Sequence, residues 1–235
     1  MFFEEHAKLL SEFARVSQAA GARADYVQGG GGNTSVKLPG GLMAIKASGF
    51  CLSDIRPDKA YAVLDGADLR NFYLTTEPSA LADVEKEGSA RAKADIRHID
   101  GLADLRPSVE AGFHSILKTF VVHTHSVYAN LAACSTACRP IAAQAFAGAN
   151  YTWGWVPYTD PGANLTFAIR DELRRVEKET GKVPSVILMQ NHGIIVHDDD
   201  PDTALAIHTD ANERLARMFG LSGTSFPKIA VREMA

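Results

Sequence analysis

Cysteine is scarce. The chain has three in 235 residues, Cys51, Cys134 and Cys138. So few, and an odd number, cannot form a disulfide framework, and a reducing compartment is expected. Cys134 and Cys138 lie four apart on a predicted helix, with no second cysteine pair to complete a zinc site, so both are expected as buried thiols. Long apolar runs are also absent: the most apolar stretch, Val121 to Ala133, is broken by His123, His125 and Asn130. A transmembrane helix is therefore excluded. The opening Met-Phe-Phe-Glu-Glu-His has neither a basic nor an apolar signal region, so no signal peptide is expected. Positive charge is in deficit, with 24 Lys+Arg against 28 Asp+Glu for a net charge of -4. With no basic run or stripe, neither nucleic acid nor a membrane surface is an expected partner. These features together predict a soluble cytoplasmic protein.

What is present is an ordinary globular composition, 46% hydrophobic and 22% charged. A chain of this length buries roughly 70% of its unfolded surface. Residues 1–235 are expected to form a single domain, with no internal repeat and no interdomain linker. Leu9, Phe13, Val16 and Ala20 recur at helical spacing and predict a helix from Glu4 to Ala20, stopped by Gly21. Thr34 to Leu38 and Leu42 to Ala47, joined by Pro39-Gly40-Gly41, predict a hairpin. Tyr61 to Leu64 predicts another strand, and the polar stretch Thr75 to Asp104 a surface helix plus loop. Pro107-Ser108 opens a predicted helix to about Lys118, with Ser108 as N-cap. A strand over Val121 to His125 and a helix over Val127 to Cys138 follow. Val183 to Gln190 and Ile194 to His197 are predicted strands, and Asp200-Pro201 starts a last long helix. Without a regular strand–helix alternation, the expected fold class is α/β with an antiparallel or mixed sheet and helices on its faces.

The sharpest chemical feature is His123-Thr124-His125. Side chains two apart on a strand share a face, so both imidazoles can reach one ion of the zinc type. His192, at a predicted tight turn made by Asn191-His192-Gly193 between apolar strands, is a candidate third ligand. Three histidines leave coordination positions open, which is the catalytic arrangement of such sites. His6, His98, His114, His197 and His208 have no such context. Glu110 falls in the first turn of a predicted helix, where an acid also serves simply to complement the helix dipole. The four glycines 29–32 are followed by Asn33-Thr34-Ser35. They match neither a Walker A loop nor a dinucleotide fingerprint, but their exposed amides could hold an anion.

Six motifs recur in one order: Gly-Gly-Asn-Thr-Ser-Val (31–36), Ala47-Ser48-Gly49, Pro107-Ser108-Val109-Glu110, His123-Thr124-His125-Ser126, Val156-Pro157-Tyr158 and Asn191-His192-Gly193. In that order they resemble the class II aldolase/adducin family, and most of all the aldolase half of two-part aldolase–short-chain dehydrogenase proteins. The resemblance implies a three-layer α/β/α fold around a mostly antiparallel sheet, and a homotetramer. It implies Zn2+ on His123, His125 and His192, with Glu110 as the acid/base. It implies a substrate phosphate near Gly32, Asn33, Ser48, Gly49 and Ser108. The activity implied is aldol cleavage of a C–C bond in a small phosphorylated ketose or sugar acid through a metal-stabilised enediolate. Decarboxylation, dehydration or epimerisation of a sugar phosphate would use the same parts, and an adducin-like interaction domain would lack the metal histidines. One departure stands out. Sugar-phosphate aldolases of the family often carry Ser or Thr just before the catalytic Glu, where this chain has Val109. Tyr151 and Tyr158 are available as proton donors, but neither matches a family motif.

Overall fold

The computed structural model describes residues 1–222. The chain runs α1 (Phe2–Glu5), α2 (Ala7–Gly21), β1 (Asn33–Leu38), β2 (Leu42–Lys46), β3 (Tyr61–Asp65), α3 (Gly66–Thr75), α4 (Val84–Ala94) and β4 (Ile96–Arg97). It continues through α5 (Ala111–Ile116), β5 (Phe120–Thr124), α6 (Val127–Ala133), α7 (Cys138–Ala145), β6 (Trp153–Val156), α8 (Ala163–Thr180), β7 (Val186–Met189), β8 (Gly193–Asp198) and α9 (Pro201–Met218). The strands join in one sheet, in the order β4-β3-β2-β1-β5-β8-β7-β6. Every pairing is antiparallel except β6 with β7. None of the helices is long and apolar enough to cross a membrane, among the described residues.

Strand alternation sorts the apolar side chains into two layers. Val121 packs with Met43, Ile45, Ile187 and Ile195 against α3, α5 and α8. Its neighbours Phe120 and Val122 point the other way, onto α2. Farther along that second face, Leu188, Ile194 and Val196 pack against α6, α7 and α9. Helices therefore cover both faces of the sheet, giving the expected three layers.

Several element boundaries differ from the sequence expectation. The first helix is interrupted at His6. The predicted helix from Val127 to Cys138 is two helices, α6 and α7, with Cys134 exposed between them and Cys138 buried. Ser135 Oγ accepts the Ala137 N–H at 3.1 Å, a local bond that competes with helix continuation. Thr75 to Asp104 holds α4 and the short strand β4. Most consequential, the helix expected from Ser108 begins only at Ala111. Pro107 bridges to Ala47, and the Ser108 N–H reaches the Lys46 carbonyl at 3.3 Å. Pro107 and Ser108 are thus held against the end of β2, and a turn at Val109 and Glu110, with the Glu110 N–H on Ser108 Oγ at 3.3 Å, leads into α5.

Candidate active site

β1, β5 and β8 lie side by side at the centre of the sheet, and the candidate site forms where β5 ends and β8 begins. In the ladder Asn33 faces His123 across β1 and β5, and His123 faces Ile195 across β5 and β8. Two glycines let the three strand ends meet. Gly32 has φ +70°, and a Cβ there would stand 2.6 Å from the His123 carbonyl oxygen. Gly193 presses on the Thr124 carbonyl from the other side. A side chain at either position would part the strands that align the histidines. In the β7–β8 turn, Asn191 takes φ +54°, a conformation asparagine tolerates, and its N–H is anchored on the Ala133 carbonyl at 3.2 Å.

His123, His125 and His192 come together as the sequence suggests. Their ring centroids are 5.0 to 5.2 Å apart, and one nitrogen from each lies within 4.8 Å of the others. His123 Nδ1 is 3.0 Å from the Ile194 carbonyl oxygen, which must receive a proton, so Nε2 carries the lone pair. Nε2 of His123 and of His125 are buried without a hydrogen-bond partner. Burial pushes the His123 pKa down to about 3, so its ring is neutral at pH 7. Neutral imidazoles with bare, orphaned nitrogens are the donor set a divalent ion of the zinc type takes, and the residues fit such an ion. His98 is exposed beside Asp104, and His208 is bonded to Thr124 Oγ1 on the other layer, so neither joins the group.

Glu110 occupies the N-cap position of α5 but makes no side-chain cap. Its carboxylate, 6% exposed, turns away from the helix amides. Oε1 is 3.1 Å from His192 Nε2, and Oε2 is 3.5 Å from His123 Nε2. Oε2 also accepts from Asn33 Nδ2 at 2.5 Å. Burial opposes the charge on Glu110, while a positive charge at the histidine cluster and hydrogen bonds from His192 and the Asn33 amide favour it and lower the carboxyl pKa below the usual range. The helix-dipole account of this residue is thereby set aside.

The residues named for a phosphate are distributed unevenly. Asn33 Nδ2 also reaches Ser108 Oγ at 3.1 Å, so these two adjoin Glu110. Ser48 is half-buried and Gly49 exposed, with φ +89°, on the turn after β2. Gly32 is buried against β5, where its glycine identity serves close packing. Ser108 is not a helix N-terminus, because a turn at Val109 and Glu110 comes before α5. Two cations at the motif edges, to which the sequence gives no part in holding a phosphate, lie beside these residues. Arg106 Nη2 donates to Ser48 Oγ at 3.1 Å, beside the named anchors. Lys46 is buried, with Nζ on the Phe50 carbonyl at 2.7 Å and the Gly30 carbonyl at 3.3 Å. Burial lowers its pKa while Cys51 and Glu110 raise it. Both cations lie at motif edges in the sequence, and only the pairing of residues 106–108 with the end of β2 brings them in. Tyr151 is committed to Asp210, and Tyr158 is exposed with its hydroxyl on Asp160.

A cavity of about 430 Å³ opens beside His125, lined also by Gln28, Asn130 and Ser135. A larger one, about 620 Å³, lies at the opposite end of the sheet by Lys118, Thr119 and His197, away from the triad. Of the clustered histidines only His125 lines the smaller cavity, which makes it a candidate approach to the site.

Comparison with known proteins agrees with this architecture. No curated protein matches the sequence. Among solved structures, the N-terminal class II aldolase domain of a conserved protein from Thermoplasma acidophilum superposes with TM-score 0.71 at 21% identity, covering 88% of this chain and 92% of that one. YgbL from Klebsiella pneumoniae, for which aldolase, epimerase and decarboxylase activities are all suggested, gives 0.62 at 18% identity over 92% and 90%. L-fuculose-1-phosphate aldolase from Thermus thermophilus gives 0.53 at 17% identity over 92% and 95%. At such identities these likenesses speak to fold. Residues 11–219 match the family described as "Class II Aldolase and Adducin N-terminal domain", and on that match the chain belongs to the class II aldolase and adducin family.

Proposed function

We propose that the protein is a zinc-dependent aldolase-type lyase that cleaves a C–C bond in a small phosphorylated ketose or sugar acid. The observation that carries this reading is the buried Glu110 carboxylate, 3.1 Å and 3.5 Å from Nε2 of His192 and His123. A base thus adjoins a cluster of neutral nitrogens suited to a Lewis-acidic ion. A divalent metal on His123, His125 and His192 would polarise a substrate carbonyl. In condensation Glu110, held ionised, takes the proton from the carbon beside that carbonyl. In cleavage the hydroxyl of the carbon that becomes the aldehyde loses its proton, which Glu110 takes up by way of solvent and delivers to the enediolate carbon once the C–C bond has broken. Asn33 and Ser108 orient the carboxylate, while Ser48, Gly49 and Arg106 offer hydrogen bonds and charge to a phosphate. A cytoplasmic homotetramer, the arrangement the family resemblance implies, completes the reading.

A second reading rests on Val109, which is 67% exposed where sugar-phosphate aldolases of the family often carry a hydroxyl. Decarboxylation, dehydration or epimerisation of a sugar phosphate would need the same base and ion with a different leaving group. The test is to incubate zinc-loaded protein with phosphorylated ketoses and phosphorylated sugar acids and follow products by proton and phosphorus NMR. Aldehyde plus a three-carbon keto fragment supports the lyase. Carbon dioxide release, loss of water or an epimer transfers the protein to the second reading. Protein that holds no metal and turns over none of them would be an interaction domain.

A further inference from the structure

The inward-facing row of β1, residues 33, 35 and 37, is polar where strand positions beside it are apolar, and all three residues hold one side chain or its backbone. Asn33 Oδ1 bonds His114 Nε2, Ser35 Oγ lies 2.7 Å from His114 Nδ1, and Lys37 Nζ donates to the His114 carbonyl. His114 is fully buried, and Asn33 and Ser35 nearly so. Burying three polar side chains around one imidazole is costly unless each bond is made. His114 lies four residues after Glu110, one helical turn on, and touches none of the three clustered histidines' nitrogens by hydrogen bond among the described residues.

The direction of each bond follows from Asn33. Asn33 Nδ2 sits between Glu110 Oε2 and Ser108 Oγ, and Asn33 Oδ1 is turned to His114, so the NH2 faces the carboxylate. The Asn33 oxygen then faces His114, and an acceptor there requires a proton on Nε2. His114 is held neutral, its pKa pushed well down by burial and by the Lys37 charge, so Nδ1 is bare and accepts the Ser35 hydroxyl proton. The chain runs Ser35 to His114 to Asn33 to Glu110. If the His114 proton sat on Nδ1, Asn33 could rotate and present its oxygen to the carboxylate, which repels it.

We infer that His114 is a positioning residue for Glu110, acting through the Asn33 amide, with Ser35 filling the other ring nitrogen of His114. This rests on the reading of Glu110 as the proton-transfer group. No step of the chemistry passes through His114 itself. Its effect is to hold the carboxylate in one rotamer facing the histidine cluster.

Two variants test it: His114→Phe, which keeps an aromatic ring without a donor, and His114→Gln, whose amide can donate to Asn33. The kinetic probe is deuterium exchange into dihydroxyacetone phosphate by zinc-loaded protein in heavy water. His114→Phe should lower the exchange rate constant about 10- to 100-fold, the range for residues that orient a reacting group. KM should change less than twofold and metal content should hold, and His114→Gln should recover most of the rate. Equal losses in Phe and Gln variants, or parental rates in the Phe variant, would overturn the inference. A second measurement stands apart from any substrate. Nitrogen-15 spectra should show His114 protonated at Nε2, and an Asn33 amide proton shifted far downfield that disappears in Glu110→Ala and in His114→Phe. An Nδ1-protonated His114, or an Asn33 signal indifferent to His114, defeats the positioning role. A correct spectrum with no exchange in the parent defeats the aldolase reading instead.

Discussion

Asn33 Nδ2 lies 2.5 Å from Glu110 Oε2, and Asn33 itself stands opposite His123 in the β1–β5 ladder. One strand register therefore places a histidine of the cluster and the amide that holds the candidate base. Both Asn33 amide protons are engaged, one by Glu110 and one by Ser108 Oγ. If Asn33 only gripped a remote phosphate, Asn33→Ala would raise KM and spare kcat. The observed contact predicts otherwise: kcat should also fall, by about tenfold or more, as an orienting bond to the carboxylate is lost. Steady-state kinetics on the identified substrate separates the two, and a pure KM effect would return Asn33 to phosphate binding alone.

The bare nitrogens of His123 and His125 predict about one divalent ion per chain in protein purified without chelator. Replacing His123 or His192 with Ala should strip that ion, while His98→Ala should not. Elemental analysis of the purified variants decides the matter. Metal retained at parental levels in both triad variants would mean that the cluster is a packed structural group.

Glu110→Gln removes the ionisable oxygen and keeps the shape. The fold and most of the metal should survive, and turnover should fall about 10²- to 10⁴-fold, the contribution typical of a general acid–base group. Circular dichroism and metal content serve as controls. Turnover near the parental rate would leave Glu110 as a buried structural carboxylate held by Asn33.

The histidine cluster was legible because strand periodicity alone puts His123 and His125 on one side, and because a His-Gly turn between apolar strands is hard to explain otherwise. Glu110 was legible only by resemblance; by position alone the favoured reading is an acid complementing the helix dipole. What escaped were residues whose roles depend on partners far away in sequence. His114 has no motif around it, and its partners Asn33 and Ser35 lie on β1, with Lys37 beside them. The start of α5 was misplaced because Ser108 is a good N-cap in isolation, whereas Pro107 and Ser108 bond to the end of β2. α8 escaped because its charged residues are not all on the outside: Arg170 is buried, bonded to the Tyr73 and Thr76 carbonyls, and Glu172 caps the Trp155 N–H. Tertiary partners made those charges compatible with burial, and no local pattern announces them.

Acid should weaken the fold in a defined window. Burial pushes the pKa values of His197 and His208 down to about 3, far below the ordinary 6.5. The unfolded chain binds a proton at each below pH 6.5, whereas the folded chain resists until about 3. Their stabilisation is therefore complete above pH 6.5 and lost as the pH falls from 6.5 toward 3. Each histidine contributes a slope of about 1.4 kcal/mol per pH unit in that range. His208→Gln keeps a polar partner for Thr124 Oγ1 and should remove one proton's share of the slope. Urea unfolding of chelator-treated protein between pH 7.5 and 5 measures it; identical slopes in parent and variant would show that His208 charges freely in the folded state.

The geometry singles out the residue that should decide whether the substrate carries a phosphate. No helix N-terminus is available at Ser108, because α5 begins three residues later. Gly32 is buried against β5, so the glycine run offers fewer free amides than its sequence suggests. Asn33 is already committed to Glu110. What remains free to meet an anion is the exposed Arg106 guanidinium, held next to Ser48 by a 3.1 Å bond. A charge-assisted contact of that kind is worth about 1.5–3 kcal/mol, or roughly tenfold or more in binding. Arg106→Ala should therefore raise KM for phosphorylated substrates by about tenfold, leave kcat nearly unchanged, and have no effect on unphosphorylated analogues. Val109, 67% exposed between Ser108 and Glu110, gives a complementary gain-of-function variant. Val109→Ser restores the hydroxyl found in related sugar-phosphate aldolases and should lower KM for phosphorylated substrates only. The measurement is kcat/KM for matched pairs, each sugar with and without its phosphate, in parent and both variants. If the free sugars turn over as well as their phosphates, and neither substitution separates the pairs, the site binds an unphosphorylated sugar or keto acid, and only the base and the metal cluster of the proposed mechanism stand.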